Sequence, residues 1–297
     1  MNTTNLRFPS NKVRDIERTY RGELRNLYPE GEVGAMLRML FEAYAGWDTA
    51  HYLLHRDGTV NQSVLLKLHW ALADLKRHRP IQYIIGHTTF AGCRIEVDER
   101  ALIPRPETEE MVSRLIEDVH APRRIADLCC GSGCIAVALT KAMPHADAVA
   151  VDLSTDCLDL TRHNAALNGV RVRCLQHDVL HPEGLAGLAG WDDGNGIDLI
   201  VSNPPYVCHG ERREMRPNVL DHEPSLALFV PDDDPLLFYR AIAQFARHHL
   251  AVGGLLALEI NERFPREVET LLKEHGLQPT IHNDLNNKPR SVTATLA

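Results

Sequence analysis

Asp127-Leu128-Cys129-Cys130-Gly131-Ser132-Gly133-Cys134 carries a strand pattern, residues 125–129, straight into a glycine turn and then into the helical pattern of residues 135–142. Glycines in such a turn let a ligand approach the backbone closely, and the free amides of a helix start attract negative charge. Nineteen residues after Gly133, Asp152 closes the next strand candidate, residues 148–152. A carboxylate there can accept both hydroxyls of a ribose. Simple tight turning is the plain alternative for two glycines, but the correctly spaced strand-end acid favours a nucleoside-bearing cofactor.

The same alternation continues outward. Residues 171–175, 197–202 and 255–260 are further short strand candidates, and all but one of the gaps between strands are long enough for a helix. This predicts an α/β fold, an open parallel sheet with helices on both faces. The exceptional gap holds Gly184, Gly187, Gly190, Gly194 and Gly196 with Asp192 and Asp193 and reads as a flexible surface insertion. Residues 277–282 and 292–296, around Asn286-Asn287, predict an antiparallel pair at the sheet edge.

Up to about residue 80 the period is helical instead. Leu37, Leu40, Phe41 and Tyr44 form one apolar stripe, and Leu65, Leu68, Leu72 and Leu75 a second, as in amphipathic helices packed on one another. Residues 81–97 are rich in Ile, Tyr, Thr and Phe and broken by Gly86 and Gly92, which predicts a β-hairpin. Pro104 and Pro106 end it. Glu107, Glu109 and Glu110 then give the acidic first turn of a helix reaching about residue 119. The expected organisation is a helical domain over 1–80, a hairpin linker over 81–105 and the α/β domain over 106–297.

Composition bounds the function. Of 297 residues, 44% are apolar and 24% charged, which excludes disorder over most of the length and leaves room for two domains. A net charge of −8 lacks the footprint of a general nucleic-acid binder. The apolar run 255–260 is far short of the ~20 residues that cross a bilayer. Residues 1–9 are polar, without the apolar segment of a secretory signal. The seven cysteines are odd in number, with three crowded at Cys129, Cys130 and Cys134, so a reduced, cytoplasmic chain is expected. No C-x-x-C pair is present, so those three are expected as small buried side chains and no metal site is expected.

Spacing alone leaves the cofactor open, because Gly131-x-Gly133-x-x-Ala136 also fits the dinucleotide fingerprint. The second motif separates the cases. Asn203-Pro204-Pro205-Tyr206 follows the fourth strand candidate, at the edge where open α/β sheets bind ligands, and hydride transfer has no use for it. A carboxamide or aromatic amino nitrogen is a poor nucleophile because its lone pair is delocalised. Its catalyst must accept hydrogen bonds from the N–H groups and aim the nitrogen at an electrophile. Asn203 offers a side-chain carbonyl, Pro204 a main-chain carbonyl on a stiff segment, and Tyr206 an aromatic wall. An ordinary Pro-Pro turn is the bland alternative, disfavoured by the position two strands beyond Asp152. At the end of the third strand, Asp178 and Val179 are candidates for the adenine, with a plain polar strand end as the alternative. Arg105 and Glu109 are candidates for closing the pocket, or else structural groups at a helix start.

The run from Asp127 to Gly133, with Asp152 and Asn203-Pro204-Pro205-Tyr206, resembles class I S-adenosylmethionine-dependent methyltransferases that act on amino groups. Arg79-Pro80-Ile81-Gln82-Tyr83-Ile84-Ile85-Gly86 and Leu102-Ile103-Pro104-Arg105-Pro106-Glu107-Thr108-Glu109 narrow the resemblance to the HemK type, the release factor N5-glutamine methyltransferases. It extends to residues 284–290 and so covers nearly the whole chain.

The resemblance implies a Rossmann-like, seven-stranded class I methyltransferase sheet with a small N-terminal helical domain for substrate recognition. It implies S-adenosyl-L-methionine as cofactor, held by the Asp127 turn (Cys129, Cys130, Gly131, Ser132, Gly133), by Asp152, Asp178 and Val179, and by Asn203. The target amide would lie against Asn203, Pro204, Pro205 and Tyr206, with Asn203, Pro204 and Tyr206 catalytic and no metal or nucleophilic Ser or Cys involved. The acceptor would be the glutamine of the Gly-Gly-Gln loop of class I peptide-chain release factors, a protein partner with no nucleic acid or membrane bound directly.

There are two departures: Cys129-Cys130 stand where the family reads Gly-Thr, and the glycine-rich insertion is longer than in the family. Leu128-Cys129, Gly131-Ser132-Gly133-Cys134 and Val97-Asp98-Glu99-Arg100 also resemble the sister family that methylates a glutamine of a large-subunit ribosomal protein, while Arg105-Pro106-Glu107-Thr108-Glu109 favours the release-factor branch. A nucleic-acid adenine N6-methyltransferase, which uses the same tetrapeptide on a flipped base, is disfavoured by the net charge of −8. A binding module without catalysis is disfavoured by the intact tetrapeptide.

Overall fold

The computed structural model describes residues 8–181 and 196–296, so the expected glycine-rich insertion lies outside the described residues apart from Gly196. The chain divides into two compact units, Met1–Gly86 with Arg216–His222, and His87–Met215 with Glu223–Ala297.

The first unit is helical: α1 (Val13–Leu24), α2 (Glu30–Ala45), α3 (Thr49–Leu54), α4 (Gln62–Leu75) and α5 (Ile81–Ile85). The two apolar stripes meet in its core, where Leu37, Leu40, Phe41, Leu68, Leu72 and Leu75 are fully buried beside Ile16 and Tyr20. Tyr20 places its hydroxyl on the Leu68 carbonyl at 2.6 Å, so the one polar atom of that ring is satisfied inside the core. Side-chain caps start α3 and α4, Asp48 accepting from His51 N and Asn61 from Val64 N.

Residues 81–85, expected in the hairpin, form α5 instead. Pro80 pre-sets the entry with φ −55°, and Gly86 closes the turn at φ 87°, returning its N–H to the Gln82 carbonyl at 2.7 Å. The β-branched composition of Ile81 to Ile85 is overridden by these two ends.

The second unit opens with the hairpin β1 (His87–Phe90) and β2 (Cys93–Glu96). There follow α6 (Pro106–Asp118), β3 (Arg124–Leu128), α7 (Cys134–Ala142), β4 (Asp147–Asp152), α8 (Thr155–Leu167), β5 (Val172–Gln176) and β6 (Ile197–Ser202). Two-residue strands, β7 (Val207–Cys208) and β8 (Phe229–Val230), flank the excursion that carries α9 (Pro217–Leu220) of the first unit. The chain ends with α10 (Leu237–His249), β9 (Leu250–Glu259), α11 (Pro265–Glu274), β10 (Leu277–Asn283) and β11 (Pro289–Leu296).

Seven strands make one sheet in the order β10-β11-β9-β6-β3-β4-β5, parallel except for β11, which runs antiparallel to both neighbours. The chain winds outward from β3 through β4 to β5, then returns to β6 on the other side of β3. The order therefore reverses beside β3, and open α/β sheets bind ligands at the carboxyl ends of strands at such a point.

The last parallel strand begins at Leu250, five residues before the sequence-based start. Gly253-Gly254, which precede the sequence-based strand, lie in a bulge where the partners of Ile197 and Leu199 shift from Leu250 to Leu255. A Cβ on Gly254 would sit 2.9 Å from the Ile197 carbonyl oxygen, so the close strand approach is what requires glycine.

Candidate active site

The turn after β3 is built from backbone in the left-handed region: Cys129 at φ 61°, Gly131 at 53° and Gly133 at 74°. Gly133 is the N-cap of α7. A Cβ there would lie 2.5 Å from Thr161 Cγ2, so α8 closes over the turn and no larger residue fits. Gly131 N–H donates to Asp152 Oδ2 at 2.9 Å, and Ser154 N–H to Asp152 Oδ1 at 2.9 Å. The strand-end acid thus holds both turns while keeping lone pairs on each oxygen.

Cys129 occupies a left-handed position where glycine is relaxed, at a cost of about 1 kcal/mol. Burial pushes the Cys130 thiol well above its ordinary range and that of Cys134 up to about 12. Such thiols stay protonated and inert.

Beneath the turn Asp127 is fully buried. Its Oδ2 accepts from Ala136 N–H at 3.0 Å, and its Oδ1 has no partner among the described residues. Burial, with the charge of Asp152 adding to it, pushes the carboxyl up to about 8.

A cavity of about 470 Å³ opens at the carboxyl ends of the central strands. From the turn, Cys129, Cys130, Gly131 and Ser132 line it; from the other strand ends come Asp152, Asp178, Val179, Asn203 and Pro205. Asp127, Gly133, Pro204 and Tyr206 are not on its wall. Asp127 and Gly133 support the turn from below, and the Tyr206 ring packs against the sheet core.

The rest of the wall includes Ile103, Pro104, Arg105 and Leu226. Glu223, its side chain fully buried, fastens that part, accepting from Ile103 N–H at 3.1 Å and from Arg105 Nη2 at 2.7 Å. Arg105 therefore lines the cavity and also precedes the first turn of α6. Glu109 is not on the wall: it lies in the first turn of α6 and accepts from Ala91 N–H at 2.8 Å in the hairpin turn.

Asn203 follows β6 and heads a chain of polar contacts absent from the sequence-based site. Its Nδ2 donates to Thr108 Oγ1 at 3.0 Å, Thr108 Oγ1 lies 2.5 Å from Glu259 Oε2, and the Tyr206 hydroxyl donates to Glu259 Oε1 at 2.8 Å. Thr108 and Glu259 are 2% and 1% exposed, so their polar atoms depend on each other. Burial raises the pKa of Glu259, opposed by the hydrogen bonds from Thr108 and Tyr206 and by the charge of Arg290. Asn261 Nδ2 donates to the Tyr206 carbonyl at 3.0 Å and holds the far end of the tetrapeptide.

Sequence reasoning missed Thr108, Glu223 and Glu259 as site residues. Glu259 carries a signal, a lone acid in the apolar run 255–260; Glu223 carries none, because its partners lie 118 and 120 residues away. Among the described residues no group of three or more His, Cys, Asp or Glu side chains is arranged to hold a metal, and no helix is long and apolar enough to cross a membrane.

Two family models match the chain, the PrmC N-terminal domain over residues 19–86 and the methyltransferase small domain over residues 107–220. The release factor glutamine methyltransferase of Flavobacterium psychrophilum is 36% identical over 275 residues, covering 91% of this chain and 94% of the relative. That of Bacteroides thetaiotaomicron is also 36% identical over 275 residues, covering 92% and 96%. Among solved structures, the hMettl16 catalytic domain in complex with the MAT2A 3′UTR hairpin 6 aligns with a TM-score of 0.51 at 14% identity, over 78% of this chain and 82% of that one, a likeness of fold alone. Similarity to named relatives along nearly the full length of both proteins, together with matches in both the helical and the sheet-bearing parts, makes this chain a member of the release factor glutamine methyltransferase family.

Proposed function

We propose that the chain transfers a methyl group from S-adenosyl-L-methionine to the side-chain amide nitrogen of the glutamine in the Gly-Gly-Gln loop of class I peptide-chain release factors. One observation carries the reading: Asn203 and the Gly131-Ser132 turn line the same cavity, so a cofactor on the turn and an amide at Asn203 share one enclosed space.

The residues present suit the cofactor. Gly131 and Ser132 would seat the methionyl end, Asp152 the ribose hydroxyls with the lone pairs left over from Gly131 and Ser154, and Asp178 with Val179 the adenine. When bound, S-adenosylmethionine supplies a methyl group already activated by its positive sulfur, which leaves as S-adenosylhomocysteine. The chain's own part is alignment and polarisation. Asn203 Oδ1 accepts from the amide NH2, holding the nitrogen in place and raising its electron density, while buried Pro204 stiffens the backbone beside it. Tyr206, with its hydroxyl on Glu259 and its carbonyl on Asn261, fixes the shape of the tetrapeptide.

An exposed, glycine-flanked glutamine can enter a narrow pocket that a side chain on regular structure does not reach. The seven free cysteines suit a reducing, cytoplasmic setting. The test is to incubate the protein with labelled S-adenosylmethionine and, in parallel, a class I release factor, the large-subunit ribosomal protein and nucleic acid, then locate the methyl group by mass spectrometry. Label on the Gly-Gly-Gln glutamine is expected. Label on the ribosomal protein alone, on nucleic acid or on nothing overturns the assignment.

A further inference from the structure

We propose that Thr108 and Glu259 are positioning residues for methyl transfer: they dictate which end of the Asn203 amide faces the acceptor. This inference rests on the reading of Asn203 as the group that accepts from the substrate amide.

The protons shared among these side chains can be counted. Glu259 acts here as a carboxylate, its ionised form favoured against burial by the hydroxyls of Thr108 and Tyr206 and by the charge of Arg290, and so it can only accept. Its two oxygens are each met by a hydroxyl, Thr108 at 2.5 Å and Tyr206 at 2.8 Å, so both hydroxyls give their single proton to it in short, charge-assisted bonds. Thr108 Oγ1 then has only lone pairs left. The group 3.0 Å away must therefore be a donor, and it is Asn203 Nδ2.

Turning the amide over would set Asn203 Oδ1 against the Thr108 oxygen, two acceptors with no proton between them inside a buried site. The nitrogen end is thus locked inward. Oδ1, on which no described residue seats a donor, is left to the cavity that Asn203 lines. Asparagine by itself is ambiguous, since its two ends have nearly the same shape and opposite polarity. The acceptor role requires the oxygen end, and the carboxylate relay selects it. The selection is assembled from three distant pieces of chain: the first turn of α6, the end of β6 and the end of β9, with partners 95 and 151 residues apart.

A purely structural cluster tying α6 to the sheet makes different predictions, and Thr108→Val, Thr108→Ser and Glu259→Gln separate the two. Each is assayed as the full-length protein with labelled S-adenosylmethionine and a purified class I release factor. The readouts are kcat, KM for the release factor, cofactor Kd by calorimetry and Tm. Thr108→Val, which keeps the volume and loses the hydroxyl, is expected to lower kcat at least about tenfold with cofactor Kd and KM within about twofold, as for a contact that matters in the transition state. Thr108→Ser, which keeps the hydroxyl, is expected to return kcat to within about threefold of wild type.

Glu259→Gln restores a proton to the relay and frees the amide to turn, so the same selective loss of kcat is expected; it serves if Thr108→Val does not fold. Wild-type kcat in either variant, or losses of cofactor affinity and Tm that parallel the loss of kcat, overturns the proposal. Failure of the wild-type protein to label the release factor overturns the functional reading instead, and the two failures are therefore distinct.

Discussion

Gly131 N–H and Asp152 Oδ2 are 2.9 Å apart, so the acid expected to hold the ribose also fastens the glycine turn expected to hold the other end of the cofactor. Removing it acts twice. Asp152→Ala should weaken S-adenosylmethionine binding by about 1–3 kcal/mol, roughly 5- to 150-fold in Kd, through lost hydrogen bonds to a charged acceptor. Asp152→Asn keeps one carbonyl for Gly131 or Ser154 and should fall between. Calorimetry checks both, and NAD binding in preference to S-adenosylmethionine would remove the basis for the methyltransferase reading.

Local pattern made that pair legible. A strand, a glycine turn and a strand-end acid are fixed by short spacings, as are Asn203 to Tyr206 at the end of β6, and the parallel sheet follows from strand and helix lengths alone. Contacts with no local signature stayed hidden. Thr108 belongs to a recognisable helix start, yet its bond to Glu259 spans 151 residues. Residues 81–85 have strand composition but are decided by Pro80 and Gly86 at their ends. Gly253-Gly254 stand outside the apolar run that marks the strand, and only the neighbouring β6 explains them as a bulge within it.

The two glycines of the turn should differ in what they tolerate. Gly131→Ala introduces a Cβ at φ 53° with its nearest neighbour, Ala101 Cβ, 3.9 Å away, so it should lose only about 1 kcal/mol for the left-handed backbone. Gly133→Ala adds to the same strain a collision 2.5 Å from Thr161 Cγ2. It should destabilise by roughly 2–4 kcal/mol, the range for overpacking plus strain. Denaturant unfolding of both variants gives the comparison, and equal losses would mean that α8 yields easily at Thr161.

Asn203→Ala should separate binding from chemistry. The side chain lines the cavity and, among the described residues, bonds only Thr108, so its loss removes the amide acceptor while the glycine turn and Asp152 stay intact. Methyl transfer to the release factor should fall at least about a hundredfold, with S-adenosylmethionine Kd within about threefold of wild type. Single-turnover transfer alongside calorimetry reads the two apart. A variant with most of the wild-type rate would mean that the amide is held elsewhere.

Asp127 ties stability to pH. Burial raises its carboxyl from 3.8 to about 8 in the folded protein, so between those values the folded state holds a proton that the unfolded chain has lost. Stability therefore falls as pH rises across that window. The contribution is fully present below about 4 and is lost as pH passes through about 8. Asp127→Asn replaces the neutral carboxyl by a neutral amide whose oxygen can still accept from Ala136, and it has nothing to titrate. Wild type and variant should melt at similar temperatures near about pH 4, whereas near about pH 8.5 the variant should be the more stable, its Tm declining less between the two. Melting curves across that range decide the point, and parallel declines for the two proteins would show that Asp127 is ionised in the fold throughout, with a donor on Oδ1 that compensates its burial.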